Sequence, residues 1–309
     1  GTYMAGLELR SISCLSDGVK LLDSISFSLE AGEIAALLGP SGSGKSLLLA
    51  AVSGHCPLPV TGRITFDGAA LPADPSAVKL GVPFPLEQLR PRTTVLGAMQ
   101  RAAAAYRGIE TPYLKRLLQQ LGLEKLADRP AASLCPGQQA LLSVATAFAG
   151  NPRLIVMDEP FARLDPEAAD ALGGLMSDFA SRKGAVVLFS TGQCCLAERL
   201  CGSALVLSDG RLMEKIDIAS LTVSGKSQPF RYTFVTDKPY AAAAVLSELS
   251  LSPVTDGDRV SAIFTRRQLY RVLSELIRSG VVLYNVISPT DSLRDRYVDA
   301  LRFMGGFSL

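Results

Sequence analysis

Residues 39–46 read GPSGSGKS, and this stretch constrains the fold more than any other. It fits G-x-x-x-x-G-K-[ST], a glycine-rich turn that must lead from a buried strand into a helix N-terminus. The flanks supply both. Residues 33–38, EIAALL, are a short apolar run suited to an inner strand, and 47–52, LLLAAV, begin a helix. A turn so placed aims backbone N–H groups at an anion. Gly39, Pro40, Ser41, Gly42, Ser43 and Gly44 form the cradle, with amides up to Leu47 at the helix start. Gly42 and Gly44 permit close backbone approach, Lys45 can reach the terminal phosphates, and the Ser46 hydroxyl can ligate Mg²⁺. The expected ligand is a nucleoside triphosphate with its metal.

A chain of 309 residues has room for about two domains. With 48% hydrophobic and 19% charged residues and a net charge of +2, it reads as a folded globular protein and offers nucleic acid little to hold. No apolar run approaches the ~18 residues expected of a membrane span, and no secretory signal is expected. Gly1-Thr2-Tyr3, ahead of Met4, is expected to be foreign to the protein. The six cysteines (Cys14, Cys56, Cys135, Cys194, Cys195, Cys201) form no C-x-x-C pair, and with one histidine, His55, a zinc cluster is not expected. Reduced thiols and a need for ATP both point to the cytoplasm.

Alternating apolar and polar residues predict strands at 7–13 and 22–29, with Asp17-Gly18 as a turn between them, and another at 62–68. The pattern from 95 to 127 is helical. Residues 154–157 are a buried strand, 166–181 an amphipathic helix, and 185–189 and 204–207 two further strands. Strands alternating with helices after the glycine-rich turn predict a largely parallel α/β sheet. A polar stretch around 217–228 reads as a linker. Beyond it come a strand at 230–235, a helix at 240–249, a hairpin of 251–254 and 259–264 turning at Asp256-Gly257, a helix at 267–279, a strand at 281–287 and a last helix at 293–303. That β-α-β-β-α-β order predicts a small ferredoxin-like α+β domain. The expected domains are 4–222 and 228–309.

The buried strand LIVM ends in Asp158-Glu159-Pro160. Asp158 suits a Mg²⁺ shell, and Glu159 can polarise an attacking water beside the last phosphate. With the ordered motifs GPSGSGKS, GRITFDG, LCPGQ, LIVMDEP, ARLD and LVLSDG, residues 7–215 resemble the ATP-binding cassette (ABC) family, the nucleotide-binding subunits of ABC transporters. The resemblance implies a P-loop NTPase of ABC type that binds ATP and Mg²⁺, with Ser46 and Asp158 as metal ligands and Glu159 as catalytic base. It implies a head-to-tail dimer in which ATP lies between one P-loop and the partner's signature segment, here Cys135, Gly137 and Gln138. It also implies a separate membrane-spanning permease, met through about residues 84–120, and a place on the inner face of the cell membrane. The C-terminal part is similar to the accessory domain of bacterial exporter ATPases, with Pro289–Asp295 at that domain's closing motif.

Several positions depart from the family pattern. Cys135 replaces a serine that would donate to the γ-phosphate, and a thiol is a weak donor. Pro136 removes a backbone N–H from an anion-facing helix start, though a proline there suits the helix. Pro85 stands where a glutamine belongs, and Gln88 could replace it only if the loop shifted register. Gly192 stands where a histidine would bond the γ-phosphate. Cys14-Leu15-Ser16 holds no ring to stack on adenine, which leaves an aliphatic surface for the base. Weak ATPase activity is therefore expected. Two readings stay open: an exporter subunit driving a permease, or an ATP-gated clamp that barely hydrolyses. A soluble protein acting on ribosomes or DNA fits less well, and homodimer or heterodimer is undecided.

Overall fold

The computed structural model describes residues 6–71, 79–224, 229–287 and 293–302. The chain divides into two compact units, one built on residues up to Ile216 and the other on Asp217–Asp299.

The first unit holds two sheets. Strands β1 (Leu7–Ser16), β2 (Val19–Leu29), β4 (Val60–Phe66) and β5 (Ala69–Leu71) form one in the order β2-β1-β4-β5, with every pairing antiparallel. One face of β1 and β2 is buried and the other wet, as alternation requires. The predicted strands 7–13 and 22–29 run three residues further into the hairpin at Asp17-Gly18, and their pairing is broken by bulges near Ser11 on β1 and Ser24 on β2.

The second sheet has the order β10-β9-β3-β8-β7-β6. Here β3 (Ile34–Leu38), β6 (Leu80–Gly81), β7 (Leu154–Met157), β8 (Val186–Ser190) and β9 (Ser203–Ser208) pair in parallel, and β10 (Arg211–Asp217) closes one edge. Strands β3, β7 and β8 are buried along their full length, which is why they read as unbroken apolar runs. The expected parallel α/β sheet is present, but the antiparallel strands form a separate sheet and do not extend it. Because β8 lies between β3 and β7, three strand C-termini stand side by side, at Gly39, Ser190 and Asp158.

Helix α1 (Lys45–Ser53) leaves β3 through the glycine-rich turn and buries Leu48, Leu49, Ala51 and Val52. The helical pattern from 95 to 127 is broken into α2 (Val95–Ala103), α3 (Thr111–Gln120) and a 3₁₀ turn at Glu124–Leu126. Gly108, at φ 75°, and Pro112 at the start of α3 supply the break. Helix α4 (Pro136–Thr146) follows, then α5 (Pro166–Lys183), whose Asp165 side chain caps the Ala168 amide at 2.8 Å. Helix α6 (Cys194–Leu200) joins β8 to β9.

The stretch expected to be a linker is partly ordered: α7 (Ile218–Ser224) buries Ile218 and Leu221 one turn apart, and 225–228 lie outside the described residues. In the second unit, β11 (Pro229–Thr236), α8 (Pro239–Glu248), β12 (Val254–Asp256), β13 (Arg259–Thr265), α9 (Arg266–Arg278) and β14 (Leu283–Ile287) follow the predicted order. The sheet order β12-β13-β11-β14, antiparallel throughout, is that of a ferredoxin-like fold. Tyr232 stacks on Phe264 at 4.4 Å in its core. Helix α10 (Leu293–Arg302) ends the described chain, and of the proposed closing motif 289–292 lie outside the described residues.

Candidate nucleotide-binding site

Gly39 begins the turn where backbone and side chain leave no room for a larger residue. A Cβ there would lie 2.4 Å from the Leu207 carbonyl oxygen and 2.5 Å from Ser43 Oγ. Ser43 Oγ is buried without a hydrogen-bond partner among the described residues. The turn is tied down by Ser43 N to Pro40 O at 3.2 Å and Gly210 N to Ser43 O at 3.0 Å. Gly42 and Gly44 have φ 79° and 99°, and at Gly42 a Cβ would meet nothing within 4 Å. The first helical amide with a backbone acceptor is that of Leu48, to Gly44 O at 2.9 Å, so the amides before it point out of the helix start. Lys45 Nζ donates to Gly39 O at 2.7 Å and Pro40 O at 2.9 Å, arching its charge back over the turn. Pro40, Ser41 and Ser46 are exposed and Leu47 half-buried. A concave set of N–H groups under an ammonium group is the geometry a polyphosphate needs.

Asp158 and Glu159 follow the end of β7 and are both exposed. Their support comes from Ser190, a residue that sequence reasoning did not single out. Its hydroxyl is fully buried, donates to Asp158 Oδ1 at 2.5 Å and accepts from Glu159 N at 2.8 Å. One serine on β8 thus orients the first carboxylate and fixes the backbone of the second, which adopts φ 44°. Ser46 and Asp158 line one cavity of about 790 Å³. Two oxygen donors facing one space suit Mg²⁺, which keeps several waters and takes its remaining ligands from phosphates. No cluster of His, Cys, Asp or Glu able to hold a metal alone occurs among the described residues. Replacing Ser190 with alanine should weaken the Mg²⁺ dependence of nucleotide binding by about 10-fold or more, as loss of a ligand's outer partner does. An unchanged Mg²⁺ titration would show that Asp158 needs no such support.

Pro85 and Gln88 line the same cavity as Ser46 and Asp158. The sequence reading gave Gln88 a place there only after a register shift; here it lines the cavity wall together with Pro85. Leu86–Gln88 form a 3₁₀ turn, with Gln88 N bonded to Pro85 O at 3.1 Å.

The signature segment is arranged differently. Cys135 caps α4, Pro136 opens it, and Gln138 Oε1 accepts from Cys135 N at 3.2 Å. Gln138 is thus engaged at its own helix start. Cys135 and Pro136 are exposed, and none of Cys135, Gly137 and Gln138 lines the cavity of Ser46 and Asp158. Gly192 is exposed at the end of β8, beside Thr191, whose Oγ1 accepts from Gln193 N at 3.1 Å. At the hairpin, Leu15 and Val19 are 45% and 61% exposed, an aliphatic surface where the family aromatic would stand.

Comparison with known proteins agrees with this geometry. The sequence model of the family described as "ABC transporter" matches residues 22–162. The lipoprotein-releasing system ATP-binding protein LolD of Anaeromyxobacter dehalogenans is 37% identical over 204 residues, 62% of this chain and 84% of the relative. The Fe(3+) ions import ATP-binding protein FbpC of Streptomyces coelicolor is 35% identical, but the match spans only 61% of that relative's length. The uncharacterized ABC transporter ATP-binding protein YhcH of Bacillus subtilis is 23% identical over 95% of both chains. Among solved structures, an ATP binding subunit of an ABC transporter matches 71% of this chain and 92% of its own, with a TM-score of 0.61 and 29% identity. Glycine-rich turn, paired carboxylates, strand order and relatives agree: the chain belongs to the ABC transporter family, as an ATP-binding subunit.

Proposed function

We propose that this chain is a slowly hydrolysing ATPase subunit of an exporter-type ABC system, pairing with a second ABC subunit and driving a separate transmembrane permease from the cytoplasmic face. Support comes from the cavity that Ser46 shares with Asp158, set beside the missing γ-phosphate partners at 85, 136 and 192. When bound, Mg·ATP supplies the phosphoanhydride to be cleaved and the metal charge that stabilises its transition state. Lys45 would exchange its two loop carbonyls for phosphate oxygens, Ser46 and Asp158 would hold the metal, and Glu159 would orient the attacking water. Gln88 would contribute an amide from the cavity wall.

Residues 84–120 would face the permease, and the walls of the 790 Å³ cavity formed by Pro85, Arg101 and Tyr106 belong to that stretch. No helix of the described residues is long and apolar enough to cross a membrane. Export is supported by the ferredoxin-like unit, read as an accessory domain following a cassette of about 4–222. The named relatives include an importer and a lipoprotein-releasing protein.

A second reading, an ATP-gated clamp, is favoured by Gly192, which has no side chain to offer. Glu159→Gln separates the two. In a hydrolytic subunit the variant should accumulate as a closed dimer with Mg·ATP on size exclusion, where the wild type does not. A clamp would give the same profile with either residue.

A further inference from the structure

A second concave site lies away from the glycine-rich turn, in a groove of about 400 Å³ between α3 and the C-terminal half of α5. Its floor is apolar, with Leu117, Leu175 and Phe179 buried. Its rim is cationic. Arg116 from α3 and Arg182 and Lys183 from α5 line it against one carboxylate, Asp178.

That carboxylate is already engaged. Asp178 Oδ1 lies 3.4 Å from Arg182 Nε, and its Oδ2 accepts from Gln120 Nε2 at 3.4 Å. Among the described residues, neither Arg116 nor Lys183 forms an ion pair. Instead the Lys183 ammonium lies 3.8 Å from the Phe179 ring centroid and 5.4 Å from that of Tyr113, and donates to Asn151 Oδ1 at 2.5 Å. Burial lowers the Lys183 pKa and the Arg116 guanidinium lowers it further, with Asp178 opposing. Arg116 and Lys183, from different helices, thus line one groove, and neither is ion-paired among the described residues. The negative end of α5 eases the charge of Lys183 only in part, because a helix end's field is weak where solvent reaches it. An anion placed between the two would relieve their repulsion and gain charge-assisted hydrogen bonds from both.

We propose that this groove binds a small organic anion, a carboxylate or phosphate on an apolar body, with the oxyanion between Arg116 and Lys183 and the body against Leu117 and Leu175. The volume lies within the range of small-molecule sites, and an apolar floor under a few placed polar groups is their usual make-up. The two cations set the ligand's charge; the floor sets its preference for a body over a bare ion.

Benzoate, phenyl phosphate, inorganic phosphate and neutral benzyl alcohol, titrated onto the full chain and followed by NMR, test this. The glycine-rich turn is first filled with Mg·ADP, so that phosphate binding there does not register. Benzoate or phenyl phosphate, whichever of the two headgroups the site prefers, should saturate, with inorganic phosphate and benzyl alcohol weaker by about 10-fold or more. Arg116→Gln and Lys183→Ala should each weaken binding by a similar factor of about 10, with Mg·ATP affinity unchanged. Arg116→Gln alters an exposed side chain and keeps the test sound if Lys183→Ala disturbs folding. Lack of saturation by both aromatic anions would overturn the proposal, as would inorganic phosphate binding equally well or Arg116→Gln binding like the wild type.

Discussion

Replacing Gly192 with histidine should raise the ATP turnover of the purified protein by about 10²-fold, the scale of one donor aimed at developing charge. The site is ready for a side chain: a Cβ on Gly192 would meet nothing within 4 Å, and its backbone is not left-handed. The neighbouring chain is fixed, since Thr191 is buried and its amide donates to Leu37 O at 3.2 Å. An imidazole built on that anchor would stand at the end of β8, two residues beyond the Ser190 that orients Asp158. Binding of Mg·ATP should change little, because the added donor acts most strongly in the transition state. Turnover that stays at the wild-type level would mean that the losses at Pro85 and Pro136 already set the rate. Steady-state phosphate release at saturating ATP reads this directly.

Gly39→Ala should cost roughly 3 kcal/mol and lower Tm by about 10 °C, a large effect for one methyl group. The methyl carbon would be driven to 2.4 Å from the Leu207 carbonyl, which belongs to β9 and cannot move without breaking its pairing with β3. The turn would have to shift, carrying with it the two carbonyls that hold Lys45. Nucleotide affinity should therefore fall together with stability. Gly174→Ala on α5 is the control: it is exposed, a Cβ there would meet nothing within 4 Å, and alanine favours a helix by about 1 kcal/mol. Thermal unfolding of both variants with and without Mg·ATP checks the contrast. Equal melting curves would show that Gly39 is not sterically required.

The parts of the site legible in the sequence are those that lie close together along the chain. The turn from Gly39 to Ser46 and the strand ending in Asp158-Glu159 each carry their own pattern, because their geometry is local. Ser190 carried no such signal. Its importance comes from β8 lying between β3 and β7, a strand order that periodicity does not reveal. Gln88 lines the cavity from a 3₁₀ turn, Leu86–Gln88, that counting along the sequence does not reveal. The strands of the first sheet were visible from alternation, but their separation from the parallel sheet is a matter of tertiary packing. The polar composition around 217–228 hid a helix of seven residues, Ile218–Ser224, in which two buried side chains sufficed. The second unit was more readable, since each of its strands and helices is bounded by its own turn or cap, such as the Thr265–Gln268 capping box.

Calorimetric titration of Mg·ATP onto the wild-type chain and onto Lys45→Ala tests most directly whether the turn holds the triphosphate. Lys45 Nζ lies at 2.7 and 2.9 Å from two loop carbonyls, poised to exchange them for phosphate oxygens. Charge-assisted hydrogen bonds of this kind are worth about 1.5–3 kcal/mol each, so the variant should bind on the order of 10²-fold more weakly while remaining folded. Saturable binding by the wild type with that loss in the variant is the expected result. Equal affinities, or a wild-type chain that takes up no nucleotide, would contradict the account at its base.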